Sequence, residues 1–286
     1  MKKSKMIIIL YASSFLVCCK SKALNIIFDL GNVLIETQYL QSILNIGPIN
    51  MGFYALSFQN PFEAHKKLYA LLEKIKPSPN NHCVSRDYEG NILPPLMCDW
   101  LKGTISPECL LHNIYKNIDK LDNWLDENLI TALARTIFIP EIFIKTRYIV
   151  EEGIEFVKEC KAAGHNLYII SNWDPASFPI LEAKYQNFFD LFTGIVISGN
   201  IKILKPDPEI YDYLIETYSL DPVDCLFIDD RPENLIPAQD LGMQTVHYIK
   251  KQGLFFEYPN FDLVREKINT MQWLKNFISL GNERRY

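Results

Sequence analysis

Residues 225–243 read CLFIDDRPENLIPAQDLGM, and the order of residue types in that stretch decides the fold. Cys225 to Ile228 is a short run without a polar residue, as expected of a strand buried on both faces. It ends on a carboxylate pair, Asp229 and Asp230. Pro232 then opens a helix, because proline suits the first helical position, where its missing N–H would be unpaired anyway. Gly242 closes that helix as a C-cap, and Thr245–Ile249 reads as the next strand. A buried strand, a polar island and a helix form one repeat of a parallel sheet with helices on its faces.

The same arrangement continues upstream. Gly194–Ile197 reads as a strand and Pro208–Tyr218 as a helix, with Lys205 just ahead of it in ILKPDP. Leu167–Ile170 is a strand that ends on Ser171 and Asn172, with a helix from Pro175 to Tyr185. A helix from about Val150 to Ala163 stops at Gly164. Far back in the chain, Leu24–Phe28 has the length and β-branched content of another buried strand, and Asp29 follows it. Between these parts the pattern is helical. Pro61–Ile75 repeats apolar residues at helical spacing, and Leu121–Phe138 reads as a further helix. Ser106, Pro107 and Glu108 give a helix start with its cap, first-position proline and first-turn acid. Lys76–Pro95, rich in proline and asparagine, reads as an exposed loop with a small hairpin. The expected architecture is therefore α/β: a doubly wound parallel-sheet core (24–36 and 148–286) carrying an inserted α-helical cap (37–147). Phe261–Leu280 is expected to be an amphipathic helix packed on the core through Leu263, Ile268, Met271, Leu274, Phe277 and Ile278, with a frayed end at Asn282–Tyr286.

Composition narrows the partners. An apolar share of 48% can fill a substantial core. The formal charge of -5, without a basic stripe, disfavours nucleic acid, whose backbone calls for clustered Lys and Arg. Residues 1–23 differ from the rest: Lys2, Lys3 and Lys5 precede an apolar run from Met6 to Cys19, with small residues at Ser21–Ala23. They read as a signal peptide or an N-terminal anchor, which implies an exported protein whose membrane association, if any, runs through that segment. The widely spaced Cys83, Cys98, Cys109, Cys160 and Cys225 read as buried free thiols. Trp100, Trp124 and His112 read as packing residues of the cap. Nothing in the sequence fixes an oligomeric state.

Ligands of open parallel sheets lie beyond the carboxyl ends of the strands. Asp29, Ser171 and Asp229 each follow an apolar strand run, and Lys205 precedes a helix at the same edge. Each alone has an ordinary explanation as a turn former, cap or solvated charge. In this order the four islands resemble the haloacid dehalogenase superfamily, over about Asn25–Lys250, with FIDDRPENLIPAQDLGM the most specific stretch. The resemblance implies a Rossmann-like core and a hydrolase acting on a small phosphate ester. Asp29 would be the nucleophile, giving an aspartyl-phosphate. Ser171, Asn172 and Lys205 would hold the phosphate, with Lys205 also neutralising Asp29. Magnesium would be held by Asp29, the Gly31 carbonyl and Asp230, with Asp229 as a supporting or water-mediated ligand.

One position departs from that pattern. Family phosphatases usually carry a second aspartate two residues after the nucleophile as general acid and base, and here that residue is Gly31. The DLGNVL form resembles a subset that includes sugar-phosphate phosphatases. Glu36 is a weak alternative proton donor. Two other readings follow from Gly31: a 2-haloacid dehalogenase, which attacks carbon and needs neither acid nor metal, and a catalytically silent binding domain.

Overall fold

The computed structural model describes residues 23–47, 52, 64–76, 83–87, 89–118, 124–253 and 257–283. The leader with Cys18 and Cys19, the start of the helix expected from Pro61, part of the Lys76–Pro95 loop and the last three residues lie outside them. Five strands form one parallel sheet: β1 (Asn25–Phe28), β4 (Asn166–Ser171), β5 (Gly194–Ile197), β6 (Cys225–Asp229) and β7 (Gln244–His247), in the order β5-β4-β1-β6-β7. Helices Glu151–Ala162, Pro208–Tyr218, Pro232–Asp240 and Asp262–Glu283 pack on it.

The apolar runs are continuous because both faces of the central strands are covered. Ile26 and Phe28 of β1, Leu167 and Ile169 of β4, and Leu226 and Ile228 of β6 belong to one buried cluster. Their alternates Ile27, Tyr168, Ile170, Cys225 and Phe227 fill the cluster on the opposite face. This is the two-residue period of a strand read twice. In register, Phe28 lies between Ile169 and Ile228, so the next residues along β1 and β6, Asp29 and Asp229, emerge side by side.

The stretch between β1 and β4 adds two features. A short antiparallel pair, β2 (Ile35–Thr37) with β3 (Arg147–Ile149), brackets the insert. Inside it, helices Ala64–Glu73, Pro95–Leu101, Pro107–Ile118 and Trp124–Phe138 share a separate apolar cluster, which Leu204 joins from the sheet side. Ser106 caps its helix as its sequence predicts, Oγ accepting from the Cys109 N–H at 3.2 Å. The insert touches the core at a close backbone approach. A Cβ on Gly103, whose φ is +65°, would meet Pro175 Cγ at 2.6 Å, and Ser198 Oγ donates to the Leu101 carbonyl at 2.9 Å.

Several sequence expectations are corrected. Cys83 and Cys98 are not free thiols but form a disulfide, with Cα atoms 5.9 Å apart. Cys160 and Cys225 are buried and free as expected, whereas Cys109 is exposed. Trp100 packs in the insert, but Trp124, at the first position of its helix, is exposed. The last helix packs through Val264, Ile268 and Met271, with Phe261 just ahead of it, while Leu263, Leu274 and Phe277 face outward. No described helix is long and apolar enough to cross a membrane.

Candidate active site

Asp29, Ser171, Asp229 and Lys205 meet at the carboxyl edge of the sheet. Ser171 Oγ donates to Asp29 Oδ1 at 2.8 Å, and Lys205 Nζ reaches the same oxygen at 2.9 Å. Asp29 Oδ2 has no hydrogen-bond donor among the described residues. Lys205 is 1% exposed and divides its three N–H groups among Asp29, Asp229 Oδ2 at 2.6 Å and the Ile170 carbonyl at 3.1 Å. Burial works against its charge, and the carboxylates of Asp229 and Asp29 more than offset that, holding Lys205 above the usual lysine value.

Asn172 borders the cavity and also shapes its loop. Its amide brackets residue 205, Nδ2 donating to the Lys205 carbonyl at 3.0 Å and Oδ1 accepting the Lys205 N–H at 2.8 Å. The next turn is capped by Asp174, which accepts from the Ala176 and Ser177 N–H groups. Ser171 and Asn172 are thereby left to the site. Asp229 sits where a supporting role, and not a direct metal contact, is open to it. It is fully buried, and its oxygens accept from Lys205, from the Arg231 N–H at 2.8 Å and from Asn234 Nδ2 at 3.0 and 3.1 Å. With its lone pairs occupied, it is placed to orient Lys205. Asp230 takes the open side, its Oδ2 accepting from Asn32 Nδ2 at 3.0 Å.

Sequence reasoning missed several participants. Asn32 adopts φ 58°, a left-handed turn that asparagine tolerates better than most residues; the Gly31–Asn32 pair was its available signal. His247 Nε2–H donates to the Asp230 carbonyl at 3.0 Å. From the insert, Ser85 Oγ donates to the Lys205 carbonyl and Arg231 donates to the Asp87 carbonyl. No sequence period marks these contacts, which join residues more than 100 apart. Glu36 is engaged elsewhere, with Lys250 at 2.8 Å and Tyr148 at 3.0 Å.

A cation fits this donor set. Ligand atoms of Asp29, Asp229 and Asp230 lie within 4.8 Å of one another, and Lys205 supplies one positive charge to three carboxylates. The balance of two negative charges suits a divalent ion, and an all-oxygen set suits magnesium. Burial pushes the carboxyls of Asp229 and Asp230 up, and the charge of Asp29 pushes them further. A carboxyl with a raised folded-state value binds more protons folded than unfolded, so its contribution to stability falls as pH rises through that window. A cation reverses the trend. Melting temperatures with magnesium and with chelator should therefore diverge from about pH 4 to about pH 7, magnesium adding about 2–3 kcal/mol at a hundredfold excess over Kd. An increment independent of pH would refute a cation at these carboxylates.

Above Asp29 lies a cavity of about 980 Å³, which Gly31, Ser171, Lys205 and Asp230 also line. It is bounded by the sheet edge on one side and by the insert on the other.

A family model described as haloacid dehalogenase-like hydrolase matches residues 25–242. Curated relatives include a sesquiterpene phosphatase (astK) of Aspergillus oryzae, 32% identical over 32% of this chain and 46% of its own length. A D-ribitol-5-phosphate phosphatase of Bacteroides thetaiotaomicron is 28% identical over 28% of this chain and 42% of its own. An (S)-2-haloacid dehalogenase 4A of Burkholderia cepacia is 26% identical over 43% and 52%. The chain thus spans about half or less of these relatives. Among solved structures, a haloacid dehalogenase family enzyme from Bacteroides thetaiotaomicron, in complex with magnesium and inorganic phosphate, superposes with a TM-score of 0.50 at 20% identity, over 82% of this chain and 98% of that one. A hydrolase of the same kind from Porphyromonas gingivalis gives 0.50 at 20% identity, over 86% and 97%.

Proposed function

Because the chain belongs to the haloacid dehalogenase-like hydrolases, we propose that it is a magnesium-dependent phosphatase acting on a small phosphorylated metabolite through an aspartyl-phosphate on Asp29. The observation that carries this is the Asp29 carboxylate at the cavity floor, with Oδ1 fixed by Ser171 and Lys205 and Oδ2 without a hydrogen-bond donor. Two donors on one oxygen set the plane of the carboxylate and direct the other oxygen at an incoming phosphorus. Attack forms the Asp29–phosphorus bond and breaks the ester bond, whose electron pair leaves on the alcohol oxygen. Water then attacks the phosphorus, releasing phosphate and restoring the carboxylate. Ser171 and Lys205 are placed to hold phosphoryl oxygens while charge develops there. Asp29, the Gly31 carbonyl and Asp230 would hold magnesium, which when bound offsets the charge of carboxylates and phosphate. Two of the relatives are named phosphatases.

The dehalogenase relative and Gly31 favour attack on carbon, but that chemistry leaves the two excess negative charges at the site without a purpose. Phosphate release assayed with magnesium and with chelator tests the proposal. Turnover that needs magnesium supports it; release of halide from a 2-haloacid, with none of phosphate, overturns it.

Gly31 itself makes a prediction. A Cβ built there meets nothing within 4 Å, so Gly31→Asp has room. An aspartate at that position would supply the missing proton donor, a contribution of roughly a hundredfold or more. Turnover of alkyl phosphates, whose leaving oxygens need that proton, should rise accordingly. p-Nitrophenyl phosphate, whose leaving group is already stable as an anion, should change little. Equal effects on both would show that residue 31 does not face the leaving group.

A further inference from the structure

Most of the cavity's polar side chains already have partners, while Trp100 Nε1 is buried without one among the described residues. Asp87 accepts from the Glu89 and Asn91 N–H groups, and Arg86 donates to the Gly90 carbonyl. Arg147 donates to Thr37 and lies 4.2 Å over the Phe143 ring. Tyr248 Oη accepts from the Asn260 N–H, and Lys250 pairs with Glu36. Asn172, Asp174, Asn234 and His247 are committed as described above.

The helices of the insert contribute something different. Their residues lining the cavity are Tyr69, Met97, Trp100, Leu101 and Ile137, joined by Phe143 of the short helix Pro140–Lys145, all apolar or aromatic. Thus the floor carries Asp29, Ser171, Lys205 and Asp230, while the helical part of the facing wall is hydrocarbon and aromatic surface, with Ser85, Arg86 and Asp87 of the insert's loop also lining the cavity. A polyol seated there would bury hydroxyl groups against that wall with no partner, at about 1–3 kcal/mol for each unsatisfied group. An apolar group would gain by leaving water.

We propose that the substrate is the phosphate monoester of an apolar alcohol, with an alkyl, alkenyl or aryl chain lying against the wall formed by Met97, Trp100, Ile137 and Phe143. This rests on the phosphatase reading and departs from the sugar phosphate that the DLGNVL stretch suggests. Phosphorus meets Asp29 at the floor, and the leaving oxygen faces the wall, so the wall selects the alcohol.

The test is kcat/KM of the full chain with magnesium for ethyl, butyl and hexyl monophosphate, beside ribitol 5-phosphate, glucose 6-phosphate and p-nitrophenyl phosphate. A wall that buries the chain raises kcat/KM about fourfold per methylene and places both polyol phosphates below butyl phosphate. Met97→Gln, similar in shape but polar, should lower hexyl phosphate several-fold more than ethyl phosphate. A flat alkyl series with faster polyol phosphates would overturn this substrate class and leave the phosphatase reading intact. Absence of phosphate from every ester, p-nitrophenyl phosphate included, from folded protein would overturn both.

Discussion

Asp29→Asn should abolish phosphate release, by roughly 10⁴-fold or more, as expected when a covalent nucleophile is removed, while leaving the protein folded and at least as stable as before. The two halves of that result have separate causes. The amide oxygen of asparagine can accept from Ser171 Oγ and Lys205 Nζ in place of Asp29 Oδ1, so the local geometry has no reason to collapse. It cannot form the phosphorus bond, because an amide is a poor nucleophile. The substitution also removes one of three clustered carboxylates, whose mutual repulsion helps to raise Asp229 and Asp230. Metal-free protein should therefore melt at an equal or higher temperature, and the stabilisation by magnesium should shrink. Steady-state phosphate release and a thermal melt with and without magnesium check both. A variant that retains activity within tenfold would remove Asp29 from the chemistry; one that fails to fold would show its charge to be structural.

Much of this site was legible in the chain because a doubly buried strand leaves an unmistakable trace. LNIIF, LYII and CLFI contain almost nothing polar, and the first polar residue after each is where the strand leaves the sheet. Asp29, Ser171 and Asp229 were found that way, and Lys205 by the Pro206-Asp207-Pro208 helix start that follows it. Strand ends do not distinguish a residue that faces the ligand from one that supports it. Asp229 and Asp230 are adjacent and chemically identical, yet one is saturated by Lys205, Arg231 and Asn234 while the other borders the cavity. Asn172 does both, bracketing residue 205 with its amide while bordering the cavity. The insert was harder to read. Its helices show in the 3.6-residue period, but the wall they present, the Ser85–Asp87 loop that meets Lys205 and Arg231, and the Cys83–Cys98 bond arise from contacts that no local pattern encodes.

Lys205→Met is expected to do the opposite of Asp29→Asn in stability and the same in activity. Lys205 is almost wholly buried, and its three N–H groups all end on oxygens of Asp29, Asp229 and Ile170. Methionine matches the volume but leaves Asp229, which is 0% exposed, facing Asp29 and Asp230 without a cation between them. Breaking a buried ion pair from one side costs about 3–5 kcal/mol, which for a chain of this size lowers Tm by about 10 °C. Because the cause is uncompensated charge and not lost packing, the damage should be repairable in two ways. Magnesium, facing three net negative charges in place of two, should stabilise the variant more than the parent. Lys205→Met with Asp229→Asn should recover a substantial part of the lost Tm, because the second substitution removes the stranded charge and keeps the contacts to Arg231 and Asn234. Neither repair should return activity, since the ammonium that steadies Asp29 and the phosphate is still absent. If the double variant is no more stable than the single one, the Lys205–Asp229 pair is not what holds this edge of the sheet together. If it regains turnover, Lys205 is needed only for the fold.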